Sequence, residues 1–251
     1  MNAYRSELHI HTVLSPCAGV EMIPPLIVET ALEKGVKLIA ITDHNSAENI
    51  SAVKEASEGY PLIVLAGIEI ETREEVHNLC IFDTIEQAKA LQNIIYEKLP
   101  ATQNKPEFFG EQFLVDCTGE FLARNTRLLS GAADLSIEEA FQIVKKLNGL
   151  FIPAHVNRKA YGLINVLGMI PDSIQPDALE ISRHTTPEQL KKENPQTRKF
   201  PIIQNGDVHY LDGFLGTTVF YLESPTVAEI KLALNNTDGR YTVIEHSNSS
   251  L

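Results

Sequence analysis

Lys37-Leu38-Ile39-Ala40-Ile41-Thr42-Asp43-His44 is the stretch on which the fold turns. Leu38–Ile41 is aliphatic throughout, the pattern of a strand covered on both faces. Gly35 precedes it where a helix should stop. Thr42-Asp43-His44 then places polar side chains at the strand's C-terminal end. The unit recurs. Compact apolar runs at 7–11, 62–69, 76–82, 150–155, 178–182, 202–206 and 217–222 read as further buried, parallel strands.

Helix-start signals fill the gaps. Thr84 with Gln87 and Ser136 with Glu139 have capping-box spacing. Thr186-Pro187 and Ser224-Pro225 put a cap residue before a first-turn proline. Gly149 marks another helix end. Strand-then-helix repetition predicts an α/β fold with a parallel sheet, open or closed into a barrel. Residues 100–134 break the rhythm. Within them, 112–115 and 121–124 flank a turn and read as a hairpin in an insertion, either a lid or contact surface or a plain excursion.

The chain has 251 residues, 43% hydrophobic and 22% charged, a composition that excludes a largely disordered protein. We expect one domain over 1–245 and a frayed tail over 246–251, with no role for His246. The net charge of −12 argues against long nucleic acid and anionic membranes. Three cysteines without a CxxC argue against a disulfide framework, and Cys80 and Cys117 read as structural. The N-terminal residues lack a signal-peptide core, and no apolar run approaches a membrane span. A cytoplasmic protein is the expectation.

The histidines carry the functional signal. His9 and His11, His44, His155 and His209 each fall at or just after a predicted strand's C-terminal end, the ligand-binding edge of α/β folds. His9-Ile10-His11 puts two imidazoles on one strand face. Glu69 and Glu71 alternate likewise, as do Asp207 and His209. His77 starts an apolar run and fits less cleanly. Mixed His, Asp and Glu donors suit zinc, manganese or iron. A rim so crowded with polar groups makes sense with cations at its centre.

In order, His9-x-His11, Thr42-Asp43-His44, Gly67-Ile68-Glu69, His77, Ala154-His155 and Gly206-Asp207-x-His209 resemble the PHP family, the polymerase and histidinol phosphatase domain. The resemblance covers about 6–210. It implies a distorted TIM-like (β/α)7 barrel, two or three divalent ions and phosphoester hydrolysis by a metal-bridged hydroxide. Carried over by residue, His9, His11, Glu69 and Asp207 would hold a first ion. Glu69 would bridge to a second ion held by His77 and His155. His44 and His209 would hold a third. Cys17 stands where some relatives place a histidine, and is either a thiolate ligand or a small buried residue.

Arg158 and Arg183 are candidates to stabilise phosphoryl charge. His209 or His184 would protonate the leaving group, and His184 is also a candidate substrate contact. The leading expectation is hydrolysis of a small phosphorylated metabolite or nucleotide, histidinol phosphate being one option. An exonuclease on short oligonucleotides, a non-catalytic metal- or phosphate-binding regulator, and a carbon–nitrogen hydrolase are the alternatives.

Overall fold

A computed structural model describes residues 1–245. The expected frayed tail, His246 included, lies outside the described residues. The strands are β1 (Asn2–Ile10), β2 (Leu38–Ile41), β3 (Ile63–Glu71), β4 (His77–Phe82), β5 (Phe113–Val115), β6 (Phe121–Arg124), β7 (Leu150–Pro153), β8 (Leu179–Ile181), β9 (Ile202–Gln204), β10 (Thr218–Leu222) and β11 (Tyr241–Ile244). The helices are α1 (Pro24–Glu33), α2 (Ile50–Ala56), α3 (Ile85–Lys98), α4 (Pro106–Phe109), α5 (Ile137–Lys146), α6 (Leu163–Leu167), α7 (Pro187–Glu193) and α8 (Val227–Leu234).

One sheet runs β11-β10-β1-β2-β3-β4-β7, and the parallel pair β8-β9 completes a ring. On one side, Val156 N donates to Glu180 O at 2.9 Å and Asp177 N to Phe151 O at 3.0 Å. On the other, Val208 N donates to His9 O and His11 N to Val208 O, both at 2.9 Å. Strands β1, β2, β3, β4, β7, β8 and β9 thus form a distorted, seven-stranded TIM-like barrel. Strands β10 and β11 extend the sheet beyond β1 as an antiparallel flap.

Strand β4 corrects the all-parallel expectation, because it runs antiparallel to both β3 and β7. The link from Glu71 to His77 is a tight turn closed by Glu75 N→Thr72 O at 2.8 Å. So few residues cannot carry a crossover, so the chain must double back.

The core has two layers. Leu8, Leu38, Ala40, Leu65, Leu79, Ile81, Leu150, Ile152 and Ile203 fill the barrel, joined by Val227, Ile230 and Ala233 of α8. Helix α8 plugs the end opposite the histidines: Lys231 Nζ reaches Gly149 O, just before β7, and Asp177, just before β8. Ile10, Ile39, Ile41, Ile68, Phe82 and Phe151 pack outward with the helices. Leu8 points inward and Ile10 outward because the β1–β2 register shifts between Glu7 and Ile10. Such an irregularity re-aims the strand, and His9 and His11 turn into the barrel mouth.

The capping boxes at Thr84, Ser136 and Thr186 form with both reciprocal bonds. Two details differ from the sequence reading. Helix α8 starts after Thr226, which accepts from Glu229 N, so Ser224-Pro225 lies in the preceding loop. After α5 it is Asn148, at φ 57°, that takes the left-handed turn. Gly149 serves close packing instead, since a Cβ there would strike the Phe82 ring. Residues 100–134 supply α4 and the β5–β6 hairpin, and no strand of the barrel.

Candidate metal centre

Glu69 lies at the centre of the mouth, 1% exposed. The nearest imidazole nitrogens of His9, His11, His44, His77 and His155 stand 3.0–3.4 Å from its two oxygens. Asp207 Oδ1 faces His9 and His11 Nε2 and His209 Nδ1 at 3.2–3.3 Å. The six imidazoles close a ring. Successive centroids from His9 through His11, His209, His44, His77 and His155 are 4.1–6.1 Å apart. The antiparallel course of β4 explains His77: the start of that strand lies at the same rim as the ends of its neighbours.

Groups behind the ring aim it. Glu180 accepts from His9 Nδ1 at 3.0 Å, from His155 N at 2.8 Å and from Asn205 Nδ2 at 2.8 Å. This turns His9 Nε2 toward Glu69. Ser15 Oγ meets His11 Nδ1 at 2.9 Å and donates to Asp43 at 2.7 Å. Asp43 also accepts from Thr12 N and Oγ1. Partners of this kind fix the tautomer and rotation of ligating histidines. Glu180 was missed from the sequence, although a lone carboxylate in the run Ala178–Ile181 is itself a signal, because a buried charge needs a partner.

Four residues here hold left-handed backbone angles: Asn45 (φ 52°), His155 (φ 29°), Tyr161 (φ 60°) and Asp207 (φ 51°). Each is strained by about 1–3 kcal/mol, as is common at functional sites.

Burial pushes Glu69 and Asp207 up, but the surrounding imidazoles outweigh it and hold both well below the usual carboxylate range. Burial pushes His9 down, yet Glu180, Asp207 and Glu69 hold it well above the usual imidazole value. His11 is driven well below that value by burial and by His209 and His44. His209 is opposed by burial but lifted to about 10 by Asp207 and Cys17.

Cys17 lies exposed at the rim, its Sγ 3.0 Å from His209 Nε2 and 3.3 Å from His44 Nε2. Burial by its neighbours raises the thiol, but bonds to these two imidazoles lower it to about 6. The alternative of a small buried residue does not describe this position.

Arg158 forms an ion pair with Asp207 Oδ2, the oxygen that does not face the imidazoles. Arg183 and His184 are not drawn into the cluster. Arg183 donates to Gly213 O at 2.6 Å, and with His184 it lines a neighbouring cavity of about 370 Å³ beside Thr185, Gln189 and Gln204.

The donor set fits bound metal. Among the described residues, both Glu69 oxygens, Asp207 Oδ1, His44 Nδ1 and His155 Nδ1 are buried without a hydrogen-bond partner. Unpartnered buried groups are costly and rare. Donors held tetrahedrally by one ion at about 2.0–2.1 Å stand about 3.4 Å apart, close to the separations around Glu69. Three groups meet a metal-donor geometry: His9-His11-Glu69, His44-Glu69-His77 and His11-His44-His209.

Comparison with known proteins agrees with this architecture. Endonuclease Q from Pyrococcus furiosus, a lesion-specific endonuclease, superposes with a TM-score of 0.74 at 21% identity. The match covers 96% of this chain and 58% of that one. Endonuclease Q in complex with a 27-mer duplex carrying an abasic lesion superposes with a TM-score of 0.70 at 19% identity, over 94% of this chain and 57% of that one. A neighbour of this fold thus holds duplex DNA, which the expectation against long nucleic acid, drawn from charge, did not take into account. A protein from Bifidobacterium adolescentis assigned as a metal-dependent phosphoesterase superposes with a TM-score of 0.55 at 19% identity, over 82% of this chain and 87% of that one. In sequence, 150 residues are 26% identical to an uncharacterized protein of Streptococcus pneumoniae, covering 53% of this chain and 57% of the relative. The chain thus spans less than two thirds of that relative and of Endonuclease Q. Residues 7–156, which hold His9, His11, His44, Glu69, His77 and His155, match the PHP domain, and the chain belongs to that family.

Proposed function

We propose that this chain is a metal-dependent phosphoric ester hydrolase acting on a small phosphorylated metabolite or nucleotide. One observation carries the reading: a buried carboxylate, Glu69, met by five imidazoles and left without a hydrogen bond. On this reading His9, His11, Glu69 and Asp207 hold one ion, Glu69, His77 and His155 a second, and His44, His209 and Cys17 a third. Zinc, manganese and iron suit these donors. Bound there, divalent ions supply Lewis acidity and lower the pKa of water.

The chain's own residues do the rest. Asp207 uses one oxygen toward the imidazole ring and the other toward Arg158. The other N–H groups of Arg158 have no partner among the described residues, and its side chain is 42% exposed. It is placed to bind non-bridging phosphoryl oxygens. His209, with its side chain 21% exposed, would donate the proton to the leaving group while the third ion is absent, and the exposed His184 would do so when that ion is held. Arg183 and His184 sit farther out and would contact the substrate beyond the phosphoryl group. We read residues 1–245 as one PHP-type domain carrying 100–134 as an insertion. Three unpaired thiols fit a reducing, cytoplasmic setting, and no helix among the described residues is long and apolar enough to cross a membrane.

The test is metal content of the purified protein with phosphate release from a phosphoester panel, before and after chelation. Two or three ions per chain and chelator-sensitive release are expected. Metal without release from any phosphoester would overturn the hydrolase reading. Cleavage of short oligonucleotides is a second reading, favoured by the exposed ring of Tyr161 at the mouth.

A further inference from the structure

Tyr161 has features that a metal centre alone does not require. Its ring lies flat on the His77 imidazole, with centroids 4.4 Å and planes 16° apart. It is nevertheless 43% exposed. Its φ of 60° is an uphill conformation for a bulky side chain. The surroundings hold it there. Tyr161 O accepts from His77 N at 3.0 Å, and Gly162 packs so tightly that a Cβ would collide with Arg158 O. Shielding His77 needs only an apolar side chain in contact with it. An aromatic ring kept half in solvent by a strained backbone does more. No second ring contact is made by Tyr161 among the described residues, so its exposed part has no aromatic neighbour.

The same loop supplies a cation. Arg158 stands three residues before Tyr161 and directs its guanidinium at Asp207. A single segment, 155–162, therefore presents a candidate metal ligand, a half-exposed cation and a half-exposed aromatic ring. A phosphoester whose ester group carries a flat ring would engage all three at once. Rings of this kind stack on tyrosine whatever their hydrogen-bonding edge.

We propose that Tyr161 is a stacking platform for a nucleobase, which makes the substrate of this site a nucleotide, either free or at the end of a short single strand. This rests on the hydrolase reading above and narrows its substrate class.

The experiment uses the full chain loaded with manganese. Calorimetry would measure binding of the non-hydrolysable phosphonate analogues of AMP and of ribose 5-phosphate, which differ only by the base. We expect the AMP analogue to bind about 5- to 150-fold tighter, the range of base–aromatic stacking. The ratio should fall to about one in Tyr161→Ala and in the bulkier Tyr161→Leu, and persist in Tyr161→Phe. A wild-type ratio of one overturns the proposal. So does a ratio unchanged in both aliphatic variants, or an equal weakening of both ligands with loss of bound metal, which would make Tyr161 a positioning residue for His77. A phosphonate trinucleotide with and without its terminal base separates the two sources: a larger ratio than the AMP pair supports the strand end, a smaller one the free nucleotide. Phosphate release from AMP is followed on the same preparations. An intact ratio without release from AMP or from any member of the phosphoester panel would sustain stacking and overturn hydrolysis, whereas release with a ratio of one would do the reverse.

Discussion

Glu7 and Glu69 are both buried carboxylates on barrel strands, and they are opposites. Glu7 is fully covered and accepts from Gly206 N at 2.7 Å, Leu215 N at 2.9 Å and Gly216 N at 3.1 Å. It ties the loop that carries Asp207 and His209 to β1. Burial nonetheless outweighs those bonds and lifts its pKa to about 7. Glu69 is equally covered but has no hydrogen bond to either oxygen. It faces imidazoles whose own rear nitrogens are in part already engaged. Satisfaction separates the two. A carboxylate whose lone pairs are filled by backbone N–H groups holds a loop in place, while one left open among imidazoles could hold a cation.

That contrast can be broken at either end. The largest effect should come from Glu69→Gln. We expect phosphate release to fall by roughly 10³-fold or more, about 4 kcal/mol of barrier, with the urea midpoint of the metal-free protein no lower than wild type. A variant that keeps wild-type turnover would remove Glu69 from the site. Glu7→Ala should do the converse. Three N–H groups lose their acceptor at about 1–3 kcal/mol each, so stability should drop by about 3 kcal/mol or more in urea denaturation. An unchanged midpoint would show that water replaces the carboxylate freely.

Metal itself should raise wild-type stability by about 2.7 kcal/mol at a hundred times its Kd, read as a shift in thermal midpoint, and should do so far less in Glu69→Gln. Equal shifts in both proteins would place the ions elsewhere. The smallest expected effect is at Glu180→Gln, which leaves Glu69 untouched but loosens His9. Loss of such a supporting contact lowers metal affinity by about 10- to 100-fold, measurable by competition with a chelator of known affinity. No change would reduce Glu180 to a partner of His155 N and Asn205 alone.

Much of this was legible in the residues. The aliphatic runs ending in polar residues foretold an α/β sheet and the edge on which its chemistry gathers, because strand periodicity and burial leave that pattern in the sequence, while closure into a barrel followed only from the family resemblance. Side chains at His9, His11, His44, Glu69, His155, Asp207 and His209 do converge. Strand direction was not legible. Val76–Phe82 reads as one more buried strand, and only the brevity of the Arg73-Glu74-Glu75 turn betrays the reversal that delivers His77. Arg183 and His184 also follow a strand end, yet Arg183 turns to the Gly213 carbonyl. Position on the rim is thus necessary without being sufficient. The grip of Cys17 on His44 and His209 spans 27 and 192 residues, and in the sequence only the family resemblance marked Cys17.

Strand β1 pairs through its first half with β10, Ser6 opposite Thr218, and through its second half with β2. During synthesis at about 5–20 residues per second, roughly 10–40 s separate the emergence of the two halves of that first pairing. Through that interval the strand bearing His9 and His11 has an open edge, the kind of edge that recruits other chains. The mouth also needs Asp207 and His209, so its assembly is a late event in the life of the nascent chain.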